Sequence, residues 1–152
     1  MSIRQAVLSD VSIIKKISEM TITEIYPHYY PKGAVDFFLT LHDEGTILSD
    51  IKQNRVFLCF DIMQNAVGTV TIKENEICRL FVLPLYQRKG YGAELLDYAE
   101  EKISREYSQI VLAASLPAKK IYLKRGYKDM EFHLIPTKDN DFLCYDVMEK
   151  QL

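Results

Sequence analysis

Between Glu76 and Ala114 the chain runs through an apolar stretch, a proline, a polar loop with two glycines, an amphipathic stretch and a second apolar run. Glu76–Leu83 has the composition of a strand, and Pro84, which cannot donate to a ladder, ends it. Beyond the loop, Tyr91, Leu95, Leu96, Ala99 and Ile103 recur at helical spacing, which leaves Glu94, Asp97, Glu100 and Glu101 for the solvated side. Ile110–Ala114 is short and continuously apolar, as a strand covered on both faces is. A strand, a helix and a strand in this order fold as a right-handed crossover with the two strands parallel.

The flanking segments fill in the rest. Ile3–Val7 suits a first strand, Asp10 is an N-cap residue type, and a helical pattern follows to about Ile25, before Pro27. Tyr26–Pro31 is an aromatic loop, Ala34–Leu41 a second short helix, and Ile47–Gln53 a further helical turn. Arg55–Met63, Ala66–Lys73 and Glu76–Leu83 form an antiparallel meander joined by turns at Gln64-Asn65 and Glu74-Asn75. Pro117 suits the first turn of a later helix, and Gly126 the position just past its end. Tyr127–Leu134 and Phe142–Met148 are the last two strands, around a polar loop at Thr137–Asp141. The expected fold class is α+β with a mixed sheet, in one domain spanning residues 1–152.

Composition removes several function classes. A formal charge of −2 over 152 residues lacks the basic excess of a general nucleic-acid binder. No apolar run is long enough for a membrane span, and Met1–Asp10 lacks the core of a signal peptide, so the expected location is cytoplasmic. The three histidines show no metal-ligand spacing, and no metal is expected. Cys59, Cys78 and Cys144 lie far apart in a pattern of reduced thiols, with Cys78 and Cys144 expected in the core.

The loop Gln87-Arg88-Lys89-Gly90-Tyr91-Gly92 enters a helix whose first N–H groups have no intrahelical acceptor. Glycines permit close backbone approach, and the helix dipole adds positive character. Together these favour an anion such as a diphosphate. The loop lacks the Gly-Lys-Ser/Thr of a Walker loop and the third glycine of the dinucleotide fingerprint.

Leu80–Leu96 resembles the acetyl-CoA-binding signature of the Gcn5-related N-acetyltransferases, the GNAT superfamily, with Gln/Arg-x-x-Gly-x-Gly/Ala on a strand–loop–helix. Ala118–Tyr127 is similar to a second segment of that family, Ala-x-x-x-Tyr-x-x-x-Gly-Phe/Tyr. The resemblance covers nearly the whole chain. It implies a three-layer α/β/α form of the fold, with a mostly antiparallel central sheet splayed between its fourth and fifth strands. It also implies an acyltransferase that uses acetyl-CoA as cosubstrate.

The same resemblance assigns residues. Leu80, Phe81 and Val82 match the strand whose main chain pairs with pantetheine, and Gln87, Arg88, Lys89, Gly90, Tyr91, Gly92 and Ala93 match the pyrophosphate-binding stretch. Ser115 stands where the family often has an asparagine that touches pantetheine. Tyr122 matches the usual general acid, a phenol positioned to protonate the departing thiolate of CoA. Glu76, eleven residues before Gln87, matches a glutamate that serves as base in the histone-acetylating branch; Glu24 and His28 are lesser candidates. The acceptor is expected against Tyr26, His28, Tyr29 and Tyr30, with Phe37, Phe38 and His133 near them. The implied reaction is direct attack by a primary amine in a ternary complex, with a small-molecule amine favoured over a peptide or protein amine. Homodimers are common in the family. The alternative is a non-catalytic acyl-CoA-binding module on the same fold.

Overall fold

The computed structural model describes residues 1–152, and its frame is one seven-stranded sheet in the order β1-β2-β3-β4-β5-β7-β6. The strands are β1 (Ser2–Gln5), β2 (Val56–Phe60), β3 (Ala66–Lys73), β4 (Glu76–Val82), β5 (Gln109–Ala114), β6 (Lys128–Pro136) and β7 (Phe142–Gln151). All neighbours are antiparallel except β4 and β5, which the crossover makes parallel. The helices are α1 (Val11–Ile25), α2 (Lys32–Leu41), α3 (Glu44–Lys52), α4 (Tyr91–Ser104) and α5 (Leu116–Lys124).

Each face of the sheet carries its own core. On one, Leu95, Leu96, Ala99 and Ile103 of α4 and Tyr122 of α5 pack on Val67, Val70, Ile72, Ile77 and Leu112. Each of the large aliphatic side chains buried there contributes roughly 1.5–3 kcal/mol. Gly68 lets α4 lie this close: a Cβ there would sit 2.9 Å from Leu95 Cδ1 and 3.1 Å from the Phe81 carbonyl oxygen. On the other face, Ile14, Ile17 and Ile22 of α1, Ala34 and Phe38 of α2, and Ile47 and Ile51 of α3 pack on Val56, Leu58, Phe81 and Leu143. Helices therefore cover both faces, giving the three-layer α+β arrangement.

Several local expectations change. The turn expected over Ile47–Gln53 is the later part of a full nine-residue helix, α3, that ends at Lys52 and starts at Glu44, where Asp43 caps it by accepting from the Thr46 N–H at 2.8 Å. Asp10 caps nothing in α1; its carboxylate takes the Val7 N–H at 2.8 Å and both ends of the Arg4 guanidinium at 2.7 and 3.0 Å. Glu100 is not on a solvated face. It accepts from Arg125 at 3.0 and 3.2 Å, Lys150 at 3.2 Å and the Tyr127 hydroxyl at 3.1 Å, which fastens α4 to β7 and to the end of α5.

Cys78 is exposed and Cys144 half-buried, against the expectation of two core thiols. For Cys78 the cause is a β-bulge. Ile72 pairs with Ile77 and Thr71 with Arg79, so Cys78 is an extra residue with no partner on β3. Ile77, before the bulge, packs on the α4 side, whereas Phe81, after it, packs on the α1–α3 side. The parallel ladder stops at the same place: only Glu76–Val111 and Ile77–Leu112 pair. From Cys78 onward β4 bends away from β5, and a gap opens between them.

Candidate active site

The loop before α4 is shaped by its backbone. Arg88 has φ 61° and Gly90 φ 95°, both left-handed. For Arg88 this conformation is uncommon and costs about 1 kcal/mol or more. The alternation turns successive N–H groups to one side, the geometry of an anion nest. Six consecutive N–H groups, from Arg88 to Ala93, have no acceptor within the chain, and the first paired one is Glu94, which donates to Gly90 at 3.0 Å. The exposed Arg88 and Lys89 stand beside the nest, with the Lys89 ammonium 5.4 Å from the centre of the Tyr86 ring. Gln87 plays a different part: its side-chain amide donates to the Val82 carbonyl at 3.0 Å and ties the loop to the end of β4.

Gly92 bears on what the nest receives. A Cβ there would meet nothing closer than Val82 Cγ2 at 3.9 Å, an ordinary contact. The protein's own packing therefore does not call for a glycine, which in a helix costs roughly 1 kcal/mol relative to alanine. Bare backbone at that position suits the close approach of a phosphate group. The residues present thus fit a diphosphate.

The strand leading to the loop faces the gap with main chain. Leu83 donates its N–H to Val67 of β3 at 2.9 Å. By the alternation of an antiparallel ladder, Phe81 also faces β3, while Leu80 and Val82 point their N–H and C=O groups toward β5. The Val82 carbonyl is taken by Gln87 and by Thr21 at 3.2 Å. Of the three expected pantetheine contacts, Leu80 therefore offers its N–H and C=O, Val82 offers its N–H alone, and Phe81 offers its ring.

The gap widens into a cavity of about 330 Å³ walled by Tyr26, Phe37, Phe38, Leu41, His42, the strand residues Ile77–Phe81, Ala113, Ser115, Ala118, Tyr122, Ile135, Leu143 and Tyr145. Tyr122 reaches this wall from the middle of α5, held by edge contact with Tyr127 at 5.5 Å, and its hydroxyl has no partner within the chain. Burial pushes its pKa up, so the phenol keeps its proton. Ser115 stands at the N-cap of α5 but caps nothing; its hydroxyl accepts from Tyr26 at 3.3 Å instead.

Of the four aromatic-loop residues, only Tyr26 lines the cavity. Tyr30 is buried behind it, accepting from the Leu116 N–H at 2.7 Å and donating to the Cys144 carbonyl at 3.2 Å, so it holds the start of α5 against β7. His28 and Tyr29 are exposed outside the cavity. Phe37 and Phe38 are on its wall, and His133 stacks on the wall residue Tyr145 with ring centres 5.0 Å apart. Glu76 is exposed at the far end of β4, where that strand still pairs with β5, and does not reach the cavity.

Sequence patterning missed His42 and Arg79. The Arg79 side chain, 3 % exposed, donates from Nη2 to Asp50 at 3.2 Å, from Nη1 to Thr71 at 2.6 Å and from Nε to His42 Nδ1 at 3.2 Å. Burial and the neighbouring guanidinium push the His42 pKa down to about 3, so the ring is neutral. An arginine in a strand that otherwise reads apolar was the one signal available.

The comparisons agree with this geometry. Residues 25–151 match the family model described as acetyltransferase (GNAT) domain. An N-alpha-acetyltransferase from Sulfurisphaera tokodaii is 26% identical over 138 residues, covering 85% of this chain and 81% of that protein. A crystal structure of a GCN5-related N-acetyltransferase from Rhodopseudomonas palustris superimposes with a TM-score of 0.89 at 20% identity, covering 99% of this chain and 95% of the other. The PaiA N-acetyltransferase from Thermoplasma acidophilum, solved in complex with coenzyme A, gives 0.76 at 20% identity, covering 99% and 98%. With an anion nest, a splayed parallel pair and a matching family model over most of its length, this chain belongs to the GNAT superfamily and is an N-acetyltransferase of that type, with acetyl-CoA as cosubstrate.

Proposed function

We propose that this enzyme acetylates the α-amine of a peptide or protein, by direct attack on acetyl-CoA in a ternary complex. The observation that carries the proposal is the character of the cavity wall: mostly aromatic and aliphatic side chains, no carboxylate, and one cation, Arg79, whose charge Asp50 offsets. Such a wall offers a protonated amine no carboxylate in place of its water, so desolvation favours the neutral form. At pH 7 roughly one peptide α-amine in ten is neutral, against one lysine amine in a few thousand. An α-amine therefore enters this cavity ready to attack far more often than a lysine or a polyamine does. That the Sulfurisphaera tokodaii relative is named an N-alpha-acetyltransferase agrees with this assignment.

The chain's own groups divide the work. The nest from Arg88 to Ala93, aided by Arg88 and Lys89, holds the diphosphate of the cosubstrate. Main chain at Leu80 and Val82, with the Ser115 hydroxyl nearby, aligns the pantetheine arm in the gap. Bound there, acetyl-CoA supplies an activated thioester. The amine adds to its carbonyl carbon, the carbon–sulfur bond breaks with its electron pair leaving on sulfur, and the proton shed by the nitrogen passes to solvent, from which the released thiolate is free to take one up. Tyr122 faces that sulfur as a protonated donor. Its raised pKa makes complete proton transfer to a thiolate of ordinary basicity, ~8.5, uphill, so its main contribution is a hydrogen bond to the charge as it develops.

Thiol release measured on three acceptors tests the proposal: a peptide with a free α-amine, the same peptide α-acetylated but carrying a free lysine, and a polyamine. The α-amine peptide is expected to show kcat/KM at least tenfold above the other two. A preference for the lysine peptide or the polyamine would overturn it.

A further inference from the structure

We propose that His42 is an acceptor-binding residue whose Nε2–H takes the first carbonyl oxygen of the peptide beside the reacting amine. The inference rests on the α-amine assignment and adds to it the group that recognises the peptide. A guanidinium has donors and no acceptor. Because Arg79 Nε points at His42 Nδ1 at 3.2 Å, that nitrogen must accept, and the single proton of the neutral ring is placed on Nε2. His42 lies on the cavity wall, its ring edge-on to Phe81 at 5.1 Å, and Nε2 has no partner within the chain.

The surrounding residues serve to fix this donor. Thr71 and Asp50 hold Arg79 on two sides, leaving its third edge for His42. Burying a guanidinium is costly unless it is fully engaged, and apolar residues of similar size would fill the same space with no such cost. The buried cation secures one tautomer of His42, and it polarises the ring so that Nε2–H is a stronger donor in a cavity of low dielectric. A donor of this kind selects an oxygen acceptor and rejects a cation. A carbonyl one carbon removed from the amine is the oxygen that every peptide N-terminus carries.

The test uses two acceptors that differ by that oxygen, phenylalanine amide and 2-phenylethylamine, with the intact enzyme and two variants. KM is measured for each acceptor, or Ki against a peptide acceptor where turnover is slow. With His42→Phe, the value for phenylalanine amide is expected to rise about tenfold, while that for 2-phenylethylamine stays within twofold. With His42→Gln, whose amide nitrogen reaches the place of Nε2, most of the loss is expected to be recovered. The KM for acetyl-CoA, unchanged in both, reports that the variants are folded. An equal rise for both acceptors, no rise for either, or a glutamine variant as impaired as the phenylalanine one would overturn the role of His42 and leave the acetyl transfer standing. An unmodified enzyme that acetylates no α-amine would overturn the α-amine assignment, and this inference with it.

Discussion

On the side of the cavity built by β4 and α4, the groups left open to a ligand belong to the main chain: six free N–H groups from Arg88 to Ala93, the inward groups of Leu80 and the Val82 N–H. On the side built by α1, α2, α5 and β7 they are side chains: Tyr26, Phe38, His42, Tyr122 and Tyr145. The first side needs only a strand end, a left-handed turn and a helix start, all within one continuous stretch. The second needs residues more than a hundred positions apart to meet. A main-chain site can serve one invariant partner under many side-chain sequences. A side-chain site is free to change with the acceptor.

That contrast can be broken at its strongest point first. Tyr122→Phe removes only a hydroxyl, and kcat is expected to fall roughly a thousandfold, about 4 kcal/mol, with KM for acetyl-CoA changed less than threefold. A kcat within fivefold of the parent would remove the phenol from the chemistry. Next, Glu100→Ala strips the anchor of α4 from Arg125, Lys150 and Tyr127, and is expected to cost about 3 kcal/mol in urea denaturation. Affinity for acetyl-CoA in the folded protein should hold, because the nest at the other end of α4 is made by local backbone.

Gly92→Ala separates packing from ligand binding more finely. The new methyl group has room, so thermal stability is expected to hold or rise slightly, while calorimetry shows acetyl-CoA binding about tenfold weaker. Unchanged affinity would mean that nothing approaches the backbone at that residue.

The smallest effect probes the acceptor side. A histidine of ordinary pKa ~6.5 takes up its proton in the unfolded chain as pH falls through that value, whereas folded His42 resists until about 3. Its contribution to stability is therefore complete above pH 6.5 and is lost as pH falls from 6.5 toward 3. Urea denaturation is expected to show a loss of about 1 kcal/mol between pH 7.5 and 5.5 that is missing in His42→Phe. The same loss in the variant would place its origin elsewhere.

The contrast also accounts for what the sequence disclosed. The strand–loop–helix and the segment from Ala118 to Tyr127 were legible because glycine, proline and helical periodicity report backbone demands in place. Tyr26 and Tyr30 stand four positions apart in one aromatic loop, yet one lines the cavity and the other braces α5. Local pattern cannot divide such a pair, since the division depends on which way each ring turns against α2 and β7. His42 and Arg79 were invisible for a related reason: they lie 37 residues apart and acquire meaning only through the bond between them.

Cys78 has a consequence of its own. Strand positions alternate odd and even between the two faces, and this one surplus residue exchanges the two from Arg79 onward. Remove it, and Arg79 and Phe81 would change sides together with Leu80 and Val82. The helical layers would then face the wrong neighbours, although every remaining amino acid is unaltered. At this point the site depends on a count and not on a chemistry: the thiol can be exchanged for other side chains, but the place it occupies in the chain cannot be deleted. Variation among natural relatives should accordingly replace this residue freely and almost never skip it.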